Sequence, residues 1–223
     1  MEKIRLVHIL TELEHQREKA SINSLSPVSK VGIEYLQQVN QRYTGEDWKL
    51  VKALSQTEHT QHGPGHYGAF QSFKKAILEN FTSDLDALIL CECDCVLEVT
   101  PEVFLNNVKR GLEFCQIHNL NHFSLGGRFV QGYLQSPISD TDPNFEDFYI
   151  TNKIILAHCI VLTPVGREFY LDVLQGDSWD SPDLWFSEIN WRHGNNRFGI
   201  SYERSAYQHE GFSLIDNCWK DSQ

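Results

Sequence analysis

Two continuous apolar runs, separated by two helical patterns, constrain the fold of this chain most strongly. The runs "IRLVHILT" (4–11) and "DALILCECD" (86–94) are rich in Ile, Leu and Val. Such strands are typical of a parallel sheet that is buried on both faces. Amphipathic helical patterns at 27–43, 68–81 and 100–118 supply the helices that would cover it. The sequence therefore predicts an α/β fold with a mostly parallel central sheet flanked by helices.

Later segments continue this alternation. Further strands are predicted at 48–54, 122–130, 152–164 and 197–205, and further helices at 166–175 and 181–191. The helix at 100–118 has a clear beginning, with Thr100 as its cap and Pro101 in its first turn. No internal repeat or linker interrupts the 223 residues, so a single domain over 1–223 is predicted.

Composition and charge argue against several classes of function for this chain. A formal net charge of −11 argues against general binding to nucleic acid or anionic membranes, since both require clusters of Lys and Arg. No apolar run approaches the roughly 18 residues of a membrane span, and the N-terminus lacks the pattern of a signal peptide. Three of the six cysteines lie within five residues, where they cannot pair sensibly as disulfides. A cytoplasmic protein with reduced cysteines is therefore predicted.

The segment "ALILCECDCVLEVTP" (87–101) offers two kinds of metal ligand at the end of a strand. In an extended segment, Cys91, Cys93 and Cys95 would share one face, and Glu92 and Asp94 the other. Three thiolates on one strand face fit a tetrahedral site poorly, so the thiols are predicted to pack in the core. Two acids at a strand exit suit Mg²⁺ or Mn²⁺. Solvated acids and turn caps give the same pattern, so the pair alone leaves both interpretations open.

The loop and helix between the two apolar strands offer polar groups for a ligand. The glycine-bearing loop "HTQHGPGHYG" (59–68) contains His62 and His66, and its backbone could approach a nucleotide closely. On the following helix, Gln71, Ser72 and Lys75 could contact a sugar or phosphate. A plain turn and a solvated helix face are the alternatives for the same residues.

With these elements in place, the sequence resembles the GT-A class of nucleotide-sugar-dependent glycosyltransferases. The likeness is carried by the order strand, helix, strand, and then by "GHYGAFQSFKKAI" and "DALILCECDCVLEVTPEVF". In that class an apolar strand ends in an acidic D-x-D motif, and a helix opened by Pro follows. Here the motif is E-x-D. The resemblance implies a single Rossmann-like domain, with a nucleotide-sugar donor half over 1–99 and an acceptor half over 100–223.

The resemblance also implies ligands for a divalent ion and a catalytic acid. Mn²⁺ or Mg²⁺ would be held by Glu92, Asp94 and His209, with Asp94 the more direct acidic ligand and Glu92 also close to the donor. His209 lies in "AYQHEGFSLIDN" (206–217). Asp183 stands where a catalytic acid is often found in this class, although an acid there also suits a helix N-terminus.

For the donor, the resemblance implies that Thr11 and Arg17 lie near the nucleotide base. Further candidates for contacts to the donor are His66, Gln71, Ser72 and Lys75. The function that it implies is metal-dependent transfer of a sugar from a UDP- or GDP-linked donor to a hydroxyl of a glycan or glycoconjugate. The metal would neutralise the leaving diphosphate, and in an inverting transfer a carboxylate would deprotonate the acceptor.

Two other functions stay open. The first is a non-catalytic nucleotide- or sugar-binding module with a degenerate site, because Glu92 replaces the first Asp of the motif. The second is a metal-thiolate protein built on Cys91, Cys93 and Cys95.

Overall fold

A computed structural model of the protein describes residues 2–11, 16–39, 64–126, 128–129, 145, 147–151, 154–155, 158–176, 181–182, 185–186, 198–201, 205–208, 211–213 and 218–220. The α-helices with described bounds are α1 (Gln16–Leu25), α2 (Pro64–Asn80), α3 (Pro101–His118) and α4 (Pro164–Val173). A 3-10 helix spans Ser26–Val31. None of the helices in these ranges has both the length and the apolar character needed to cross a membrane.

The strands in the described ranges differ widely in length. In chain order they are β1 (Ile4–Leu10), β2 (Ile33–Val39), β3 (Ala87–Cys91), β4 (Cys95–Leu97), β5 (His122–Ser124), β6 (Arg128–Phe129), β7 (Phe148–Thr151), β8 (Ile154–Ile155), β9 (Cys159–Leu162), β10 (Phe198–Ser201), β11 (Ala206–Gln208), β12 (Gly211–Ser213) and β13 (Cys218–Lys220). The pairs β4–β11, β6–β8 and β12–β13 form three small antiparallel sheets.

The other seven strands form one sheet in the order β2-β1-β3-β9-β5-β10-β7. Strand β1 is parallel to both β2 and β3, and β5 is parallel to β10. Strand β9 is antiparallel to its neighbours β3 and β5, and β7 is antiparallel to β10. Five of the seven strands therefore run in the same direction. The predicted α/β fold with a mostly parallel central sheet is confirmed.

Helices cover both faces of this sheet, which explains why its central strands are continuously apolar. In β3, Ile89 packs into the cluster that contains Val108 of α3, whereas Leu88 and Leu90 pack into the cluster that contains Ile77 of α2. All five residues of β3 are fully buried. A strand with helices on both sides has no face left for polar residues.

Residues 27–39, the described part of the helix predicted at 27–43, do not form a single α-helix. The 3-10 helix ends at Gly32, which has φ +94°, and β2 follows at once in parallel register with β1. A left-handed glycine ends a helix because it lets the chain turn away without steric strain. The apolar positions from Ile33 onward thus belong to a strand. The sequence did not predict α1, whose Leu25 packs into the same core cluster as Val108 of α3.

Other predicted elements differ in their bounds. Helices α3 and α4 lie close to their predicted positions, and the side chains of Thr100 and Thr163 cap them by accepting from the N–H groups of Val103 and Gly166. The predicted strand at 122–130 is divided between β5 and β6, which belong to different sheets. The predicted strand at 48–54 lies outside the described residues. The predicted loop at 59–68 gives way to α2 at residue 64.

Candidate functional site

The carboxyl ends of β1 and β3 lie side by side at one edge of the central sheet. The two strands are parallel, with His8 opposite Cys91, so the residues that follow them emerge at the same edge. Thr11 follows β1, and Glu92 and Asp94 follow β3. Three of the predicted site residues therefore lie at this edge.

The acidic motif lies in a tight turn between β3 and β4. The backbone N–H of Cys95 donates to the carbonyl of Glu92, with an N···O distance of 3.0 Å, and closes a turn over residues 92–95. Strand β4 then pairs with β11 rather than extending β3. The expectation that acids and thiols alternate on two faces of one strand is wrong beyond residue 91, because a turn ends the two-residue periodicity.

Asp94 is the more enclosed of the two acids. It is only 5% exposed, and its Oδ2 accepts a hydrogen bond of 2.9 Å from Nε2 of Gln208, whereas Glu92 is half-buried. Gln208 is the last residue of β11 and lies opposite Cys95 in the β4–β11 pair. A buried carboxylate is costly unless hydrogen bonds or a cation compensate it. A second strand therefore helps to hold Asp94 in place.

A third acid is buried at the end of β1. Glu18 of α1 is 4% exposed, and its Oε1 accepts from the backbone N–H of Thr11. Sequence reasoning missed Glu18 because α1 was not predicted. Had a helix been assigned there, Glu18, Ser21 and Leu25 would have shared one face by their three- and four-residue spacing. All three are buried.

A chain of buried hydrogen bonds joins this helix to the acidic turn. His8 contacts the Tyr35 hydroxyl through Nδ1 (2.8 Å) and Ser21 Oγ through Nε2 (2.9 Å), and Ser21 Oγ donates to the carbonyl of Cys95. Since Ser21 has a single proton, it must accept from His8 Nε2–H, so Nδ1 accepts from Tyr35. Burial lowers the pKa of His8 to about 4, although a hydrogen bond with the Glu92 backbone opposes the shift. The neutral ring thus connects β2 to the turn.

The predicted donor contacts on α2 have different environments. Ser72 is buried, its Oγ donates to the Gly68 carbonyl (2.7 Å), and its own carbonyl accepts from Gln38 Nε2 (2.9 Å). His66 and Gln71 are half-buried, and Gln71 hydrogen-bonds Tyr67 within the helix. Lys75 is exposed. Ser72 thus already serves the packing of the helix on β2.

Other predicted site residues cannot be placed. Asp183 and His209 lie outside the described residues, as does the side chain of Arg17. Gln208, which immediately precedes His209 in the chain, is the described partner of Asp94. Gln208 was not singled out from the sequence, because only the pairing of β11 with β4 brings it to the acid.

The described residues contain one group of three potential metal ligands, and it is made of thiols. The Sγ atoms of Cys91, Cys95 and Cys159 all lie within 4.8 Å of one another. Within the described ranges, Glu92 and Asp94 form no comparable group with a third His, Cys or acid. The alternative thiol site on Cys91, Cys93 and Cys95 differs from this group in one member, since Cys93 lies half-buried in the turn and Cys159 stands in its place. Cys91 and Cys95 pack in the core.

Comparisons with known proteins found similarity in solved structures alone. No protein-family model matches the chain, and no curated protein matches it. Mouse xyloside xylosyltransferase 1 in its apo form is similar at a TM-score of 0.42 and 10% identity, over 86% of this chain and 83% of that one. An active-site mutant of LgtC is similar at a TM-score of 0.40 and 10% identity, over 89% of this chain and 72% of that one. At these values neither likeness assigns a function to this chain.

Proposed function

We propose that the chain is a metal-dependent glycosyltransferase that moves a sugar from a UDP- or GDP-linked donor to a hydroxyl of a glycan or glycoconjugate. The observation that carries this proposal is the acidic turn at residues 92–95, which follows β3 at the carboxyl edge of the sheet. Open α/β sheets bind their ligands outside the carboxyl ends of the strands. The position of the acids at this edge supports a role for them in binding the donor.

The oxygen ligands of this turn fit Mg²⁺ or Mn²⁺. Mg²⁺ is usually bound by one or two carboxylates, with water and substrate phosphates completing its shell, so two acids on one turn suffice. Glu92 and Asp94 would hold the ion, and Gln208 orients the Asp94 carboxylate through its hydrogen bond. A protein with a net charge of −11 also needs a local cation to bind a diphosphate. When bound, the ion would neutralise the charge that develops on the leaving diphosphate.

The remaining roles are proposals of the same kind. Thr11 and Arg17 would bind the nucleotide base, His209 would complete the metal site, and Asp183 would act as general base toward the acceptor. Further donor contacts would come from α2, namely His66, Gln71, Ser72 and Lys75. On this assignment residues 1–99 bind the donor and residues 100–223 bind the acceptor.

We also propose that the protein acts in a reducing compartment, the cytoplasm. Five cysteines with described side chains are free thiols, and all but the half-buried Cys93 are buried; they are Cys91, Cys93, Cys95, Cys115 and Cys159. The Sγ atoms of Cys91 and Cys159 lie 3.8 Å apart and are not joined in a disulfide.

Thermal unfolding with nucleotide-sugar donors tests the proposed function. UDP-, GDP-, CMP- and dTDP-linked sugars are each added with and without Mn²⁺ to the wild type and to Asp94→Asn. Ligand at a hundred times its Kd stabilises the folded state by about 2.7 kcal/mol, so one class of nucleotide should raise Tm in the presence of Mn²⁺. Asp94→Asn keeps the size of the side chain and removes its charge, and should abolish the metal-dependent increase.

Asp86→Asn is the matched control. Asp86 is exposed and precedes β3, at the opposite end of the strand from the turn, so its removal should leave the donor-induced increase in Tm intact. Release of free nucleoside diphosphate from the donor that raises Tm then distinguishes a glycosyltransferase from a non-catalytic binding module. Binding without release or transfer would identify a non-catalytic module, and no increase in Tm with any donor would overturn the proposal.

A further inference from the structure

Three thiols from three separate strands converge beneath the acidic turn. Cys91 ends β3 and lies opposite Cys159 in the antiparallel β3–β9 pair, with the two Sγ atoms 3.8 Å apart. The turn at residues 92–95 brings the chain back, so Cys95 at the start of β4 joins them. All three Sγ atoms lie within 4.8 Å of one another, and all three residues are fully buried.

These spacings match those of a metal bound by three sulfurs. With metal–sulfur bonds of about 2.3 Å, the sulfurs of a planar three-coordinate site are about 4 Å apart. The 3.8 Å separation between the Sγ atoms of Cys91 and Cys159 is close to that value. The separations of Cys95 Sγ from these two atoms are at most 4.8 Å, so a small movement of the Cys95 side chain suffices to reach about 4 Å. Cys115 is also fully buried, but it does not belong to the group. A buried cysteine in this core therefore need not lie close to other thiols.

The ligand set selects a soft ion that accepts a low coordination number. Zinc in structural sites takes four ligands, and within the described residues no fourth His, Cys or acid belongs to this group. The thiols are buried away from solvent, so water is not available as a ready fourth ligand. Among biological metals, Cu(I) is a soft ion that thiolate ligands favour.

We propose that Cys91, Cys95 and Cys159 form a binding site for one cuprous ion, separate from the carboxylate site on the same turn. The thiols lose protons as they ligate the ion. Cys91 and Cys95 flank Glu92 and Asp94 in the chain, so an ion that joins these two cysteines fixes both ends of the acidic turn. The carboxylate side of the turn binds hard cations, and the thiol side binds a soft one.

Anaerobic titration of the reduced protein with Cu(I), in competition with a chromophoric Cu(I) chelator, tests the site. We expect one equivalent of Cu(I) per chain in the wild type. Cys91→Ala and Cys159→Ala should each weaken the affinity by more than the roughly 10–100-fold that loss of an outer-shell partner costs, because one of three sulfur ligands is lost. Two variants are matched controls. Cys93→Ala removes a thiol that is close to the cluster in sequence, and Cys115→Ala removes a buried thiol outside the cluster, so both should keep the wild-type affinity.

X-ray absorption of the copper-loaded wild type makes the test independent of whether the variants fold. Three sulfur neighbours around copper are expected. Fewer sulfurs, or nitrogen and oxygen neighbours in their place, would overturn the proposal. So would a lack of stoichiometric Cu(I) binding, a loss of binding in Cys93→Ala, or zinc bound in preference to copper.

Discussion

At the scale of single residues, close backbone contact determines which side chain is tolerated. Gly166, in the first turn of α4, is such a position, since a Cβ added there would lie 2.3 Å from the carbonyl oxygen of Asn121. The same oxygen accepts from the backbone N–H of Thr163 at 3.1 Å and from its Oγ1 at 3.0 Å. The beginning of the helix is therefore held directly against the backbone that leads into β5.

Gly166→Ala should destabilise the protein although alanine favours helices. The added methyl group meets a backbone atom that is fixed by hydrogen bonds, and overpacking of this kind costs about 1–3 kcal/mol. Urea unfolding measures the change in the free energy of unfolding. Gly176→Ala is the control, because its Cβ would lie 3.4 Å from the nearest atom and the residue is exposed. Equal effects at the two glycines would contradict this account.

At the scale of elements, hydrogen bonds connect α1 to β4 and to β1 and the residue that follows it. The buried side chains of α1 in the described part of the chain are Glu18, Ser21 and Leu25, and two of these three are polar. Ser24, half-buried, accepts from the backbone N–H of Leu97 at 2.8 Å. The helix therefore supplies partners to strand ends whose backbone groups lack a neighbouring strand.

Ser21→Ala should remove the central link of this attachment. The substitution leaves the Cys95 carbonyl and His8 Nε2–H without their Ser21 partner in a buried site, which costs about 1–3 kcal/mol. Ser29→Ala is the control, since its hydroxyl is exposed and donates only to the Ser26 carbonyl at 2.9 Å. Surface changes of that type usually stay within about 0.5 kcal/mol. Similar losses for both variants in chemical unfolding would show that the buried chain of hydrogen bonds is not stabilising.

At the scale of the whole molecule, a neutral histidine is buried on each side of the sheet. His8 faces α1, and His122 hydrogen-bonds the Tyr170 hydroxyl of α4 at 2.5 Å. Burial lowers the pKa of His8 to about 4 and that of His122 to about 3, from the ordinary histidine value of 6.5. Both rings are therefore uncharged in the folded protein at neutral pH.

Stability should fall as the pH is lowered from about 6.5 toward 4. In this range the unfolded chain binds protons at both histidines and the folded protein does not, so acid favours unfolding. Each histidine contributes a slope of up to about 1.4 kcal/mol per pH unit, and the contribution vanishes above the unfolded pKa. Urea unfolding at a series of pH values measures the slope. His8→Gln should reduce it by about one histidine's share, and an unchanged slope would mean that folded His8 titrates like an unfolded one.

Much of this architecture could be predicted because the sequence patterns that indicate it involve residues close together in the chain. The continuous apolar runs of β1 and β3 indicate strands buried on both faces, and Thr100 with Pro101 marks the beginning of α3. The segment after residue 26 was assigned wrongly because its apolar spacing suits a helix as well as a strand. Pairing with β1, a contact distant in sequence, decides between them.

The sequence by itself determined the fold class, the buried central strands and the position of the acids at a strand end, because periodicity and helix caps depend on residues a few positions apart. Only the tertiary structure decided which groups meet. Gln208 reaches Asp94 through a strand pair that spans 114 residues of the chain, and Cys159 rather than Cys93 completes the group of thiols. Such contacts depend on strand order and on a single turn, and spacing along the chain encodes neither.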